Sequence, residues 1–248
     1  MRMKEDQMRG GLLKPGYNIQ VGTENNFVIG YDVFPSPTDT RTLIPHLKNV
    51  RKRLGCRFRT VIADAGYGSE ENYDYLEREN ITAAVKYAGY ELETKRSFSK
   101  RTFSAENWEY DSEQKEYSCP CGNPVPYKRT ETRKNRSGYE QTYEVYQCDN
   151  CEGCPFRSLC TKSEYGRIVQ RNWRWQEQKT KVKALLASDE YKSLMKERST
   201  ECETVFGQTK ANLHFRRFHL RGKEKVGTEW GLLMLGYDFK QLARLMNA

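Results

Sequence analysis

No apolar run in the 248 residues approaches the length of a membrane-spanning helix, and with a mean hydropathy of −0.90 no transmembrane helix is expected. The opening residues Met1 to Asp6 lack the apolar core of a secretory leader, which points to a cytoplasmic protein. Histidine is scarce. The three residues His46, His214 and His219 have no ligand-like spacing, so none is assigned a catalytic role. Internal repeats and low-complexity segments are missing as well. Acidic residues are outnumbered, 33 against 42 Lys plus Arg, and the resulting charge of +9 suits a polyanionic partner.

What is present centres on Thr60 to Asn72. A short apolar run (Val61, Ile62, Ala63) reaches Asp64, then the turn Ala65-Gly66-Tyr67-Gly68, then Ser69 as a helix N-cap. A buried parallel strand delivers one carboxylate to the carboxyl edge of a sheet in this way, where α/β proteins place their chemistry.

Around it, Tyr17, Ile19 and Val21 alternate with polar residues, and Phe27, Ile29, Tyr31 and Val33 alternate again, predicting a β-hairpin turning at Thr23 to Asn26. Thr38 or Asp39 can cap a helix running to about Leu54. A second helix runs from Ser69 to about Glu79, and Ile81 to Tyr87 is a further strand. The order predicts an α/β protein with a mixed sheet and helices on its faces. Helical periodicity then disappears until about residue 170. The chain therefore divides into 1–87, an insert at 88–170, and a helical part at 171–248. In that last part Met195, Cys202, Phe206 and Leu213 form one apolar stripe, and a final helix spans Thr228 to about Met246.

Six of the eight cysteines fall in the insert: Cys119, Cys121, Cys148, Cys151, Cys154 and Cys160. Paired Cys-x2-Cys spacing lets one turn offer two thiolates to a tetrahedral Zn²⁺, and a reducing cytosol disfavours disulfides. The chosen ligands are Cys119, Cys151, Cys154 and Cys160, with Cys121 and Cys148 as competitors, while Cys56 and Cys202 are read as core. Glu203 lies one residue past the stripe position Cys202, at the edge of the buried face, with Lys210 almost in line on the same side. A carboxylate at a strand end and another on a late helix can share divalent metal, Mg²⁺ or Mn²⁺, in phosphodiester chemistry. Beyond Lys210, the basic residues Arg216, Arg217 and Arg221 interleave with Phe215 and Phe218, a pattern that tracks a phosphate backbone. Trp173 and Trp175 are read as core rather than as stacking platforms.

Taken together, Asp64-Ala65-Gly66-Tyr67-Gly68-Ser69, Glu203 with Lys210, and Arg216-Arg217-Phe218-His219-Leu220-Arg221-Gly222 resemble bacterial insertion-sequence transposases of the DDE type. The branch with a multi-cysteine insert is the match, and Lys14 to Gln20 and Pro37 to Thr40 look like it too. The resemblance implies an RNase H-like fold interrupted by a zinc-ribbon-like insert, with Asp64 and Glu203 as catalytic metal ligands. It implies double-stranded DNA at transposon ends as partner, contacted by Lys210, and a homodimer on that DNA. No position matches the family's first catalytic Asp; the available carboxylates are Asp32, mid-strand, and Asp39, read as a helix cap. The chain is expected to be a carboxyl-terminal portion with little cleavage of its own, or a remnant that binds DNA without cutting. Asp238 stands where Asn is expected, a matter of packing.

Overall fold

The computed structural model describes residues 16–247, and of Glu190, Glu197, Ser199 and Thr200 only the backbone. Lys14 and Pro15 of the opening motif, and the segment Met1 to Met8, lie outside the described residues. The chain forms two compact units. The first combines the residues up to Tyr87 with those from Val182, and the second runs from Ala88 to Lys181.

In the first unit, β1 (Asn18–Glu24) and β2 (Phe27–Phe34) pair antiparallel. They are joined by Asn25 and Asn26, both at positive φ, as a tight hairpin turn requires. Helix α1 (Leu43–Leu54) buries Leu43, Leu47 and Val50, an apolar face at helical spacing. Each such side chain contributes about 1.5–3 kcal/mol of hydrophobic stabilisation. Strand β3 (Thr60–Gly68) pairs parallel with β4 (Thr82–Tyr87), and α2 (Glu70–Arg78) connects them. Ser69 is the α2 N-cap and accepts from the Asn72 backbone N–H, as read from the sequence.

The expected single mixed sheet is not what forms among the described residues. The hairpin and the β3–β4 pair are separate two-stranded sheets. Side chains rather than a backbone ladder link them: the Tyr67 hydroxyl donates to Gln20 Oε1, and Gln20 Nε2 donates to Asp39 Oδ1 at 3.2 Å. Asp39 is therefore not the cap of α1. It sits in a 3₁₀ turn (Asp39–Arg41), and its carboxylate turns back toward β1.

The first unit closes with the end of α6 (Trp173–Ala187), α7 (Asp189–Ala211) and α8 (Lys223–Met246). Val205, Trp230, Met234 and Tyr237 form a core with Phe206, Phe215 and Phe218 packed on it. The opposite side of α8 leaves Leu232, Leu235, Phe239, Leu242 and Met246 exposed, at spacings of three and four. No described helix is long and apolar enough to cross a membrane.

The second unit begins with the short helical turns α3 (Tyr90–Glu93) and α4 (Arg96–Ser99). Its body is an antiparallel sheet of β5 (Tyr110–Asp111), β6 (Glu116–Ser118), β7 (Pro124–Lys134), β8 (Glu140–Gln147) and β9 (Ile168–Arg171), in that spatial order. A one-turn helix α5 (Arg157–Cys160) precedes β9. Trp108, Tyr117, Val125, Tyr146, Cys148 and Val169 make its core. The Tyr117 and Tyr146 rings meet edge to face at 4.9 Å, the arrangement that aligns ring edge with ring face. The first part of α6 belongs here, with Lys179 buried on Glu93 at 2.7 Å.

Candidate active site

Strand β3 stays in register with β4 from Thr60 to Ala63 and rejoins it only at Gly68. Asp64 to Tyr67 are left out of the ladder as a bulge at the carboxyl end of the strand, and Asp64 is exposed there. Gly68 has to be glycine: a Cβ would collide with the Lys86 carbonyl where the strand rejoins. Asp64 Oδ1 accepts the Gly66 N–H at 2.9 Å. At Gly66 a Cβ would lie 3.1 Å from Asp64 Oδ1 and also 3.1 Å from Asp39 Oδ2. The bulge thus brings together two carboxylates that the sequence reading kept apart. Tyr67, beside them, has its phenol pushed far up by burial and then by the negative charges of Asp39 and Asp64.

Asp32, the other spare carboxylate, is committed elsewhere. Its oxygens accept from His46 Nδ1 at 2.7 Å, Asn49 Nδ2 at 3.0 Å and Arg53 at 3.2 Å, tying α1 to β2. Burial raises its pKa, but those hydrogen bonds and the His46 and Arg53 charges outweigh burial and hold it below the usual carboxylate range.

Helix α7 packs against β1 and β3. It does so through Cys202, whose Sγ lies 3.4 Å from Thr23 Oγ1. The buried positions of α7 are Val205 and Thr209, so Glu203 is exposed rather than at the edge of the buried face. Leu213 is exposed too, 38%, which shortens the expected stripe. Leu213 lies past the end of α7 at Ala211, and within the helix the Thr209 hydroxyl donates to the Val205 carbonyl at 2.5 Å and so is satisfied inside the core.

Lys210, Arg216, Arg217 and Arg221 are all exposed. The aromatics between them face inward. Phe215 meets Phe218 at 5.1 Å and Trp230 at 5.9 Å, so this face offers charge and not ring stacking. Glu229 fixes the loop by accepting the His219 and Leu220 backbone N–H groups, each at 2.9 Å.

In the second unit the six clustered thiols neighbour one another. Cys119, Cys151 and Cys160 pack with buried Cys148 against the Trp108–Tyr146 core, and Cys121 Sγ lies 3.2 Å from Cys154 Sγ. Burial, then the hydrogen bond with Cys151, pushes the Cys148 thiol up to about 12. The Cys160 thiol is raised by burial, relieved in part by Arg167, and raised further by Cys151, Cys119 and Cys154. Cys56, read as core, is exposed. Trp173 is exposed as well and donates to Glu144 Oε2 at 2.5 Å. Among the described residues no group of three or more His, Cys, Asp or Glu side chains is arranged to hold a metal ion.

The first unit thus presents one carboxylate exposed at the end of a parallel strand and a second acid, Glu203, on the exposed face of a helix packed on that strand. A family model described as a transposase DDE domain matches residues 118–243, just over half of the chain. The chain belongs to that family. The match covers the cysteine cluster, Glu203, Lys210 and the basic loop, and begins after Asp64. No curated protein and no solved structure matches the chain.

Proposed function

We propose that the chain carries out the metal-dependent strand cleavage and transfer of a DDE transposase, with Asp64 and Glu203 as its metal-binding carboxylates. The observation that carries this reading is the β3 bulge. It holds Asp64 exposed at a strand end in a chain of the transposase DDE family, with α7 packed alongside. The exposed Asp64 carboxylate is a hard oxygen ligand of the kind a small divalent cation takes. Mg²⁺ or Mn²⁺ held by Asp64 and Glu203 would supply an activated water and stabilise the leaving oxygen. The protein's own part is to fix the Asp64 carboxylate through the Gly66 N–H and to carry Glu203 on a helix packed against the same strand. Lys210, Arg216, Arg217 and Arg221 hold the DNA backbone.

The neighbouring thiols are the donor type that a structural Zn²⁺ takes, and Cys119, Cys151, Cys154 and Cys160 would be the four ligands of a zinc-ribbon-like insert once the metal draws them together, since the described residues hold no preformed group. On DNA the chain acts as a homodimer through the exposed stripe of α8. Its three-and-four spacing is what two copies of one helix need in order to pack together. A second reading, a module that binds DNA without cutting it, is favoured by the lack of a three-carboxylate group among the described residues.

The test is duplex DNA binding and plasmid nicking across salt, in Mg²⁺ and in Mn²⁺. Replacing Arg216, Arg217 and Arg221 with Ala should flatten the log–log salt dependence by about one unit per lost phosphate contact. An unchanged slope returns these arginines to ordinary solvated surface. Nicking that Asp64→Asn and Glu203→Gln both abolish supports the enzyme; binding with no nicking at any metal concentration supports the second reading.

A further inference from the structure

Strands β7 and β8 run on past their neighbours. β6 pairs with β7 only at Pro124 to Pro126, and β9 pairs with β8 only at Glu144 to Gln147. Glu131 to Lys134 and Glu140 to Tyr143 therefore pair with each other alone, as a two-stranded ribbon that leaves the five-stranded sheet. No residue from Lys128 to Glu144 is buried, so neither face of the ribbon is covered. Two uncovered strands are marginal in water, and here side chains hold them. Glu131 accepts from Arg129 at 2.6 Å and from Arg133 at 2.5 Å, which draws both guanidinium groups into line along one face. The Arg133 guanidinium also lies 5.0 Å from the Tyr143 ring. At the tip Asn135 Oδ1 accepts the backbone N–H groups of Ser137, at 2.9 Å, and Tyr139, at 3.0 Å. Arg136 stands exposed in that turn, and among the described residues it has neither a hydrogen bond nor an ion pair.

Composition selects the partner. From Lys128 to Glu144 there are five basic residues against three acidic ones, and no aliphatic side chain. Protein interfaces are anchored by apolar side chains at a dry centre, which this ribbon does not offer. A net basic, polar ribbon suits a polyanion instead. Two strands about 4.8 Å apart also match the major groove of B-DNA, about 12 Å wide, which admits a two-stranded ribbon. We propose that the β7–β8 ribbon enters the major groove of duplex DNA tip first, with Arg136 at the base edges. The inference rests on the DNA-binding reading above and gives the second unit a DNA contact that the reading does not contain. Because the ribbon is already formed, little ordering entropy is spent when it docks.

The experiment compares binding of the full chain to two duplexes of one mixed sequence. One is unmodified; in the other, glucosylated hydroxymethylcytosine fills the major groove and leaves phosphates and minor groove as they were. Wild type should bind the filled duplex about 10-fold more weakly, and Arg136→Ala should lose about as much on the unmodified one with its Tm unchanged. A shortened ribbon, with Arg133 to Gln141 replaced by the two-residue turn Asn-Gly, keeps every pairing with β6 and β9 and should bind both duplexes alike. A wild type indifferent to the filled groove, a shortened ribbon as sensitive to it as wild type, or unchanged affinity in Arg136→Ala would overturn the inference. The DNA-binding reading would then still stand if replacing Arg216, Arg217 and Arg221 flattens the salt dependence. A wild type that binds neither duplex would overturn both.

Discussion

Asp64 stands at an exposed bulge and Asp39 in the 3₁₀ turn near it, held by a backbone N–H and by side-chain amides, whereas Cys119, Cys151 and Cys160 pack against the core of Trp108, Tyr117 and Tyr146. The first arrangement offers hard oxygen ligands open to water and to a phosphate. The second offers soft sulfur ligands packed beside an aromatic core and only partly open to water. On the proposed reading, ligand softness and access divide the roles: a site that must exchange water and DNA belongs on the strand bulge, and a site that only has to hold a fold belongs beside the core. The units also differ in what keeps them together. The first relies on polar braces such as Asp32 with His46 and Asn72 with two carbonyls. The second has a six-residue core built around three aromatic rings and one thiol.

The comparison breaks most clearly at the cysteines. About one Zn²⁺ per chain is expected by elemental analysis of protein purified without chelator. Binding to four thiolates is linked to folding, and in small zinc domains is worth on the order of 10 kcal/mol. Chelation, or Cys151→Ser with Cys154→Ser, should therefore unfold the second unit and leave the first intact. The tryptophans report this separately, because Trp108, Trp173 and Trp175 lie in the second unit and Trp230 in the first. A metal-free second unit that stays folded would sink the zinc assignment.

Acid should do the opposite, striking the first unit. The Asp32 pKa is held below its ordinary value of 3.8, so its contribution is fully present above that value and is lost as pH falls through the depressed one. Asp32→Asn removes a charge-assisted hydrogen-bond network and should lower stability at neutral pH by about 2 kcal/mol. The deficit should shrink as pH falls through the depressed pKa, where the wild-type carboxyl takes up its proton as well. A deficit that stays constant with falling pH in thermal melts followed through Trp230 would show that shape, not charge, is what Asp32 supplies.

The legible parts of this chain were the local ones. An apolar run ending in Asp64, a glycine-marked turn and Ser69 gave β3, its end and the α2 cap, because adjacent residues decide them. The link between the two small sheets was not legible, since Tyr67, Gln20 and Asp39 meet only in the folded chain. The same distance in sequence concealed that Asp39 and Asp64 both reach Gly66. The stripe Met195, Cys202, Phe206 and Leu213 misled the reading of α7: Val205 and Thr209 are its buried described positions, and Glu203 lies exposed. Phe215 and Phe218 misled in the other direction, because alternation with arginine does not say which side chains face the Trp230 core.

The smallest expected effect tests whether the first unit's polar contacts act by charge or by shape. Asp238 Oδ1 accepts the Val28 N–H at 2.9 Å, pinning α8 to the hairpin. Burial raises the Asp238 pKa above 3.8, and the Val28 hydrogen bond offsets this only in part. A raised carboxyl has the opposite sign from Asp32. Below its unfolded value both states hold the proton and nothing is lost; as pH rises the unfolded chain ionises first, so the group destabilises the fold at neutral pH. Asn keeps the accepting oxygen and carries no charge. Asp238→Asn should therefore raise Tm at pH 7, by less than about 1 kcal/mol in stability, and leave it unchanged near pH 2. A fall in Tm at pH 7 would mean that the ionised carboxylate strengthens the Val28 contact by more than its burial costs, and the first unit would then owe its stability to charge at this position too.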